Sequence, residues 1–578
     1  MTQTTRIQRL ACSAMLALLG ACQAANQGKA PDRPDPEGSA GTSSSSGAGG
    51  GGSGSGAAAT GTTGATTQEG ARERCAVSQI GPPMLRRLTQ GEFQRTVADI
   101  FPQITTGWTG VKVGTDAVSA LGFSNDAATL VVSQQTAQEI LSTAEDVATR
   151  VVADDVLPSI LPCASSADAA CAATFISQYG TRLFRRPLSA DESQTYNDYF
   201  ASVTARSSFK LGIKWTLVAL FQSPNAVYRS EVGVANGASY TLTPNELATE
   251  LAYTFGGSTP SPDLLAKAAA GALATPEARL AEARNLMTTP SGKEAVRELF
   301  REWSGYSLVK ARNKTNTAFT PAIAADMATE TERFIEDVLF AKGGSLKDLL
   351  TAPYTFVSPS LVTFYGYGAS SADFTRVDRP ANWGVGLLAQ GSMLAANAHA
   401  DATSPTWRGL LVFSKLFCNS KPKPPPVVPS IPAASPGVVT TRQRYEQSHI
   451  SGGPACPACH TLWDPIGFGF EHFDEVGRYR EQESGLPIDA TGYVKSMKGE
   501  QIMTFDGAQD LATQLAGDAD VTDCVSGLMS EYVYAGGGGV SCLAETARDG
   551  LASGKFGLVE YLAQLSTERQ FSERSLTR

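Results

Sequence analysis

Pro82-Pro83-Met84-Leu85-Arg86-Arg87-Leu88-Thr89-Gln90-Gly91-Glu92 opens the first folded stretch of a 578-residue chain, and its last four residues decide the fold class. Thr89 and Glu92 have the spacing of a capping box, in which the hydroxyl and the carboxylate each satisfy a backbone N–H at a helix start. Phe93, Val97, Ile100 and Phe101 then fall on one helical face before Pro102 stops the run. The same grammar recurs at Ser189 to Glu192, behind Phe184-Arg185-Arg186-Pro187-Leu188 and ahead of Tyr196 and Phe200. A third instance is Thr243-Pro244-Asn245-Glu246, with Pro244 at the first helical position and Leu247, Leu251 and Phe255 as the stripe before Gly256-Gly257. Apolar residues keep helical spacing through 210–221, 246–255, 277–287, 294–303 and 330–339. These runs predict a mainly α, multidomain chain of helical bundles or arrays.

Upstream of this region the composition changes. Arg6 and Arg9 precede an apolar run from Leu10 to Leu19, interrupted only by Ser13, and Leu19-Gly20-Ala21-Cys22 closes it. This reads as a secretory signal over residues 1–21. The last four residues resemble a lipobox, which implies cleavage before Cys22 and lipid on its thiol; an ordinary signal would instead leave a soluble periplasmic protein. Gln23 is not a retention-type aspartate, so the lipobox reading points to the outer membrane. Residues 22–74 are mostly Gly, Ser, Ala and Thr, too poor in large apolar groups to offset the entropy of ordering, and are expected to form a flexible tether. Apart from the signal, no run approaches the ~18 apolar residues of a spanning helix, so the lipid is the expected membrane attachment.

The roughly 500 residues beyond the tether suffice for three or four packed units. A formal charge of −9 argues against a nucleic-acid partner.

The sharpest chemical signal is Cys456-Pro457-Ala458-Cys459-His460. Two thiols separated by two residues and followed by histidine fit covalent haem attachment, with the thiols adding to the vinyls and the imidazole reaching the iron. A redox dithiol would also show CxxC, and so would half of a zinc site, although zinc would require a second ligand pair at similar spacing, which is absent. Export supports the haem reading, because attachment takes place outside the bacterial cytoplasm. Setting aside Cys12, Cys22, Cys456 and Cys459 leaves six cysteines, an even number suited to disulfides. Proximity in sequence pairs Cys163 with Cys171 and Cys524 with Cys542, which leaves Cys75 with Cys418.

Other clusters have plainer readings. The pairs Arg86-Arg87 and Arg185-Arg186 are expected to satisfy carboxylates and carbonyls near helix caps. Gly366-Tyr367-Gly368 and Gly536 to Gly539 lack the strand-turn-helix setting of a phosphate cradle and read as turns. Glu330, Glu332, Glu336 and Asp337 read as a solvated helix face.

Five blocks occur in order: Leu85-Arg86-Arg87-Leu88-Thr89; Leu183-Phe184-Arg185-Arg186-Pro187-Leu188; Tyr354-Thr355-Phe356-Val357 with Phe364-Tyr365-Gly366; Ser404-Pro405-Thr406-Trp407-Arg408-Gly409; and the CxxCH running into Asp464-Pro465-Ile466-Gly467-Phe468-Gly469-Phe470-Glu471 and 473–480. Together they resemble the planctomycete-type multidomain cytochrome c family, in which several domains of unknown function surround one haem motif. One departure is visible: where such chains carry a Gly-Arg after a Tyr-Ala-Leu type run, Glu531 to Gly539 leads into four glycines. The expected domains are an N-terminal helical unit at 75–160, a helical hairpin at 161–208, a central helical domain at 209–383, a haem domain at 384–482 and a C-terminal helical domain at 483–578.

The resemblance implies one covalent haem c, carried by Cys456 and Cys459 with His460 as proximal ligand. The prolines from Pro424 to Pro436 are expected to form an extended strap, followed by a short helix from Thr441 to His449. A carbonyl of the turn at Trp463-Asp464-Pro465-Ile466 is expected to hold the second nitrogen of His460. Trp463, Phe468, Phe470 and Phe473 read either as haem wall or as core, and Arg478 or Arg480 as partners for the propionates. His399 and His449, at positions where relatives carry histidine, are the candidate distal ligands, ahead of His472, Met393, Met497 and Met503. An extracytoplasmic electron-transfer lipoprotein with an unknown redox partner is the first functional expectation. A haem oxidoreductase binding substrate in the helical domains, and a surface-binding protein with structural haem, are the alternatives. The sequence leaves open whether the protein is an enzyme.

Overall fold

The computed structural model describes residues 80–368, 373–421, 440–451, 456–535 and 545–575. The signal, Cys22, the tether, Cys75, the proline strap, the Gly536 to Gly539 run and Cys542 lie outside the described residues.

The fold is mainly α, with a few small antiparallel sheets. Two apolar cores organise it. The first is built by α1 (Gln90–Ile100), α2 (Gln134–Val151), α3 (Ala169–Phe184), α4 (Ala190–Thr204) and α5 (Phe209–Phe221). It contains the predicted stripe Phe93, Val97, Ile100 and Phe101. The second takes in α6 (Pro244–Gly256), α7 (Pro276–Thr288), α8 (Pro290–Ser304), α9 (Pro321–Glu336), α10 (Pro405–Lys415), α11 (Pro457–Phe468), α12 (Ala519–Tyr534) and α13 (Leu558–Gln564). The CxxCH helix α11 and the C-terminal helices therefore share one core with the central helices.

Helix starts follow the sequence closely. Thr89 with Glu92, Ser189 with Glu192, and Thr243 with Glu246 all close as capping boxes. Glu246 does more than cap: one of its oxygens also accepts from Ser230 Oγ and from the backbone N–H groups of Val232 and Gly233, fastening α6 to the preceding strand. Thr243→Ala removes the hydroxyl that holds this end and is expected to cost about 1 kcal/mol, measured by urea unfolding.

Two of the strand pairings join elements that are distant in sequence. β1 (Met84–Arg87) runs antiparallel to β2 (Tyr228–Glu231), with Arg86 opposite Arg229. β3 (Val234–Asn236) pairs with β4 (Ser239–Thr241), which also pairs with the last described strand, β9 (Glu573–Ser575). The remaining pairs are β5 (Tyr354–Val357) with β6 (Thr375–Asp378), a two-residue hairpin at 482–487, and β7 (Thr491–Lys495) with β8 (Gln501–Asp506). The C-terminal unit, expected as a small helical domain, also carries the β7–β8 hairpin.

Two buried guanidiniums facing each other across strands would repel, and their setting removes the conflict. Arg86 pairs with Glu231 at 2.8 Å and Glu250 at 2.9 Å, and Arg229 with Glu92 at 3.0 Å. Arg574, on β9, reaches Glu231 at 2.5 Å. Three cations thus face three carboxylates in a buried cluster. The second arginine pair is satisfied too: Arg185 donates to the carbonyls of Asn225, Ala226 and Tyr228, and Arg186 bonds both oxygens of Glu192. Of the carboxylates read as a solvated face, Glu330 is an exception, for it is 1% exposed. It accepts from Thr355 Oγ1 and Tyr365 Oη at 2.7 and 2.8 Å, and burial pushes its carboxyl up. Thr355 and Tyr365, from one sequence block, thus converge on it. Glu332, Glu336 and Asp337 do sit nearer solvent, against Arg301, Arg297 and Tyr354.

Cys163 and Cys171 are disulfide-bonded, as their proximity suggested. The other expected pairings are corrected, because Cys418 bonds Cys524 across 106 residues. α10 ends beside α12, so the partner of each cysteine is set by helix packing rather than by closeness in sequence. That contact excludes Cys524 with Cys542 and Cys75 with Cys418.

Candidate haem site

The site is built where α10 and α11 cross. A Cβ on Gly409 would lie 1.8 Å from the Trp463 carbonyl oxygen, and one on Gly467 would lie 1.9 Å from that of Pro405. Only glycine admits backbones this close. The fourth and fifth sequence blocks therefore meet in space as the two sides of one crossing. Arg408 fixes it further: fully buried, it donates to the carbonyls of Phe470, Phe473 and Asp474, ordering the turn after α11. Thr403 Oγ1 donates to Glu471 at 2.7 Å.

α11 begins at the motif. Cys456 is its N-cap, Cys459 and His460 lie in its first turn, and both thiols are free and half-buried. Asp464 follows His460 by four residues, on the same helical face. The two bond at 2.9 Å between His460 Nδ1 and Asp464 Oδ2. His449 Nδ1 reaches the same oxygen at 2.8 Å, and Thr406 Oγ1 donates to Oδ1 at 2.6 Å. The Asp464 side chain is wholly buried. Burial pushes its carboxyl up, but the bonds from His449, His460 and Thr406 and the charge of His460 together hold it below the usual carboxylate range. An ionised carboxylate only accepts, so each ring presents Nδ1–H to it.

His449 arrives on a π-helical turn, Glu446–Ile450, which extends the predicted short helix after Thr441–Tyr445. Its ring centroid is 3.9 Å from that of His460, and Tyr445 packs edge-on behind it at 4.7 Å. His399, the other distal candidate, lies elsewhere: its ring packs on Trp407 at 4.6 Å, and burial pushes its imidazole down. His472 stacks on Tyr479 and bonds the Arg480 carbonyl. Met393 is buried in the core, Met503 packs against it and Met497 is exposed. Arg478 is held by Asp474, and Arg480 by Glu471 and Glu483, so both arginines already have carboxylate partners.

The sequence pointed to a carbonyl for His460; the structure supplies a carboxylate. Asp464 was legible only as the i+4 neighbour of His460, and Thr406 carried no signal of its own.

These residues fit a covalently held haem. Two free thiols and an imidazole with its Nδ1 anchored share one helical turn. Trp463, 6% exposed with its ring 5.7 Å from His460, has a buried indole N–H without a partner among the described residues, a donor that a propionate would satisfy.

Four family models match in order, each described as a protein of unknown function: PSD3 (DUF1587) over residues 86–153, PSD5 (DUF1595) over 171–231, PSD4 (DUF1592) over 242–367 and PSCyt3 (DUF1588) over 385–483. The chain carries the PSD–PSCyt domain series. Within that series the PSCyt3 match contains the whole α10–α11 crossing, from Thr406 through His449 and the CxxCH to Asp464. The PSD3 match begins at Arg86, within β1, and the PSD5 match contains β2, so the buried arginine cluster joins those two modules to Glu250 of PSD4. No curated protein and no solved structure matches the chain.

Proposed function

We propose that the protein is an exported, lipid-anchored c-type cytochrome that carries electrons outside the cytoplasm. Haem c would be joined through Cys456 and Cys459, with His460 as its proximal ligand. When bound, haem supplies a one-electron ferric/ferrous couple. The observation that carries the reading is the anchoring of His460 Nδ1 on buried Asp464, in the same turn as two free thiols, which leaves Nε2 as the ligating nitrogen. A carboxylate partner makes the imidazole more basic and thereby favours oxidised iron. The PSCyt3 match is in keeping with a cytochrome-like module. Two disulfides suit an oxidising compartment, in line with a signal ending at Cys22 and an outer-membrane lipoprotein on its periplasmic or surface face. The helical modules would dock a redox partner protein.

The test is expression in a bacterium with an active haem-attachment system. Covalent haem should appear in the denatured chain by haem staining and mass, and should vanish in Cys456→Ser/Cys459→Ser. A wild-type chain without covalent haem ends the proposal. A low-spin spectrum indifferent to cyanide and carbon monoxide would support the electron carrier, whereas ready binding of either would favour the oxidoreductase alternative.

A further inference from the structure

We infer that His449 is not a distal iron ligand but a positioning residue, one that shares Asp464 with His460 and so sets how strongly His460 donates to the metal. The inference rests on the haem reading above. With metal–nitrogen bonds of about 2 Å, two imidazoles ligating through Nε2 on opposite faces of one iron would hold their Nδ1 atoms roughly 8 Å apart. Here both Nδ1 atoms lie on one oxygen, at 2.8 and 2.9 Å, and the ligand atoms of His449, His460 and Asp464 all fall within 4.8 Å of one another. The rings lie side by side rather than across a metal plane.

The local backbone enforces this placement. The Ser451 N–H bonds the Glu446 carbonyl at 2.8 Å, closing the wide π turn that carries His449. The Tyr445 ring packs at 4.7 Å and limits retreat. Asp464 in turn is held by Thr406 Oγ1 and cannot follow one ring at the expense of the other. The physical effect is division of one negative charge. A carboxylate oxygen that accepts from two N–H groups gives less to each than it would give to one. His449 therefore moderates the electron donation that Asp464 lends to His460, and with it the balance of ferric and ferrous iron.

The experiment uses full-length protein with covalent haem, comparing wild type with His449→Leu, His449→Asn, Asp464→Asn and the Asp464→Asn/His449→Leu double variant. Spin state and midpoint potential are read from spectra during redox titration. His449→Leu should keep the wild-type spin state while its potential falls, by about a tenfold shift of the one-electron equilibrium, or 59 mV. His449→Asn, which keeps a donor for the carboxylate, should stay near wild type. Asp464→Asn should raise the potential, and on that background His449→Leu should change little. His449→Phe serves as a second apolar variant if the leucine protein does not fold. Conversion of a low-spin wild type to high-spin in the apolar variants would overturn the inference by making His449 a ligand, and an unmoved potential would overturn it by denying any shared carboxylate. Absence of covalent haem from wild type would be seen first, by haem stain, and would remove the underlying haem reading instead.

Discussion

Arg86→Ala is expected to remove about 3–5 kcal/mol of stability, because it leaves buried carboxylates without their nearest cation. Arg86 is 2% exposed and pairs with both Glu231 and Glu250, so its loss strands charge on a strand and a helix at once. Solvent cannot reach the cluster to compensate. The sign of the pH dependence gives a second check. Burial, opposed by Arg86, pushes Glu92 up to about 7, and burial also pushes Glu250 up. A carboxyl raised in the folded chain binds a proton between about 4.5 and 7 that the unfolded chain releases, so stability falls as pH rises through that window and levels off above it. Removing Arg86 leaves these carboxyls with less to favour ionisation, which steepens the fall. The deficit of the variant should therefore be larger in urea melts at pH 8 than at pH 5.5; an equal deficit at both would show that the carboxyls do not titrate as described.

Cys418→Ser/Cys524→Ser should cost nearly as much. The bridge closes a loop of 106 residues, for which chain entropy gives about 4.7 kcal/mol at room temperature, against about 2.5 kcal/mol for the eight-residue separation of Cys163 and Cys171. It also holds the end of α10, the helix that crosses α11 at Gly409 and Gly467. The long-range variant should therefore unfold at lower urea concentration than Cys163→Ser/Cys171→Ser and lose haem-site order in the same transition. Equal midpoints for the two variants would contradict this ranking.

Much of the helical scaffold could be read from local grammar. Thr89, Ser189 and Thr243 sit three residues before a glutamate, and both halves of each cap lie within one turn, so no distant contact is needed to predict them. β1 was hidden for the opposite reason: in Met84–Arg87 the exposed residue is Leu85 and the buried ones are Arg86 and Arg87, which inverts the usual pattern. Only the carboxylates of Glu231 and Glu250, more than 140 residues away, make the burial of Arg86 tolerable. Glu330 was misjudged on the same grounds, since Thr355 and Tyr365 reach it from separate elements. At the site, CxxCH was visible because its chemistry is contiguous. Asp464 was half visible through helical spacing, while Thr406 and the shared position of His449 depend on two helices crossing at glycine. Pairing of Cys418 with Cys524 belongs to the same class, a contact made by packing and silent in spacing.

The position of Arg574 has a consequence for how the chain is made. β9 supplies the third cation of the buried cluster, and the Ser575 N–H donates to the carbonyl of Gly81 at 2.8 Å, so the last described strand bonds the segment just ahead of the first. During synthesis, Arg86, Arg229, Glu92, Glu231 and Glu250 all leave the ribosome hundreds of residues before Arg574. Until it arrives they hold one carboxylate too many for a dry interior. A chain ended before Arg574 would keep that imbalance, and its N-terminal half is expected to be cut faster by added protease than that of the full chain.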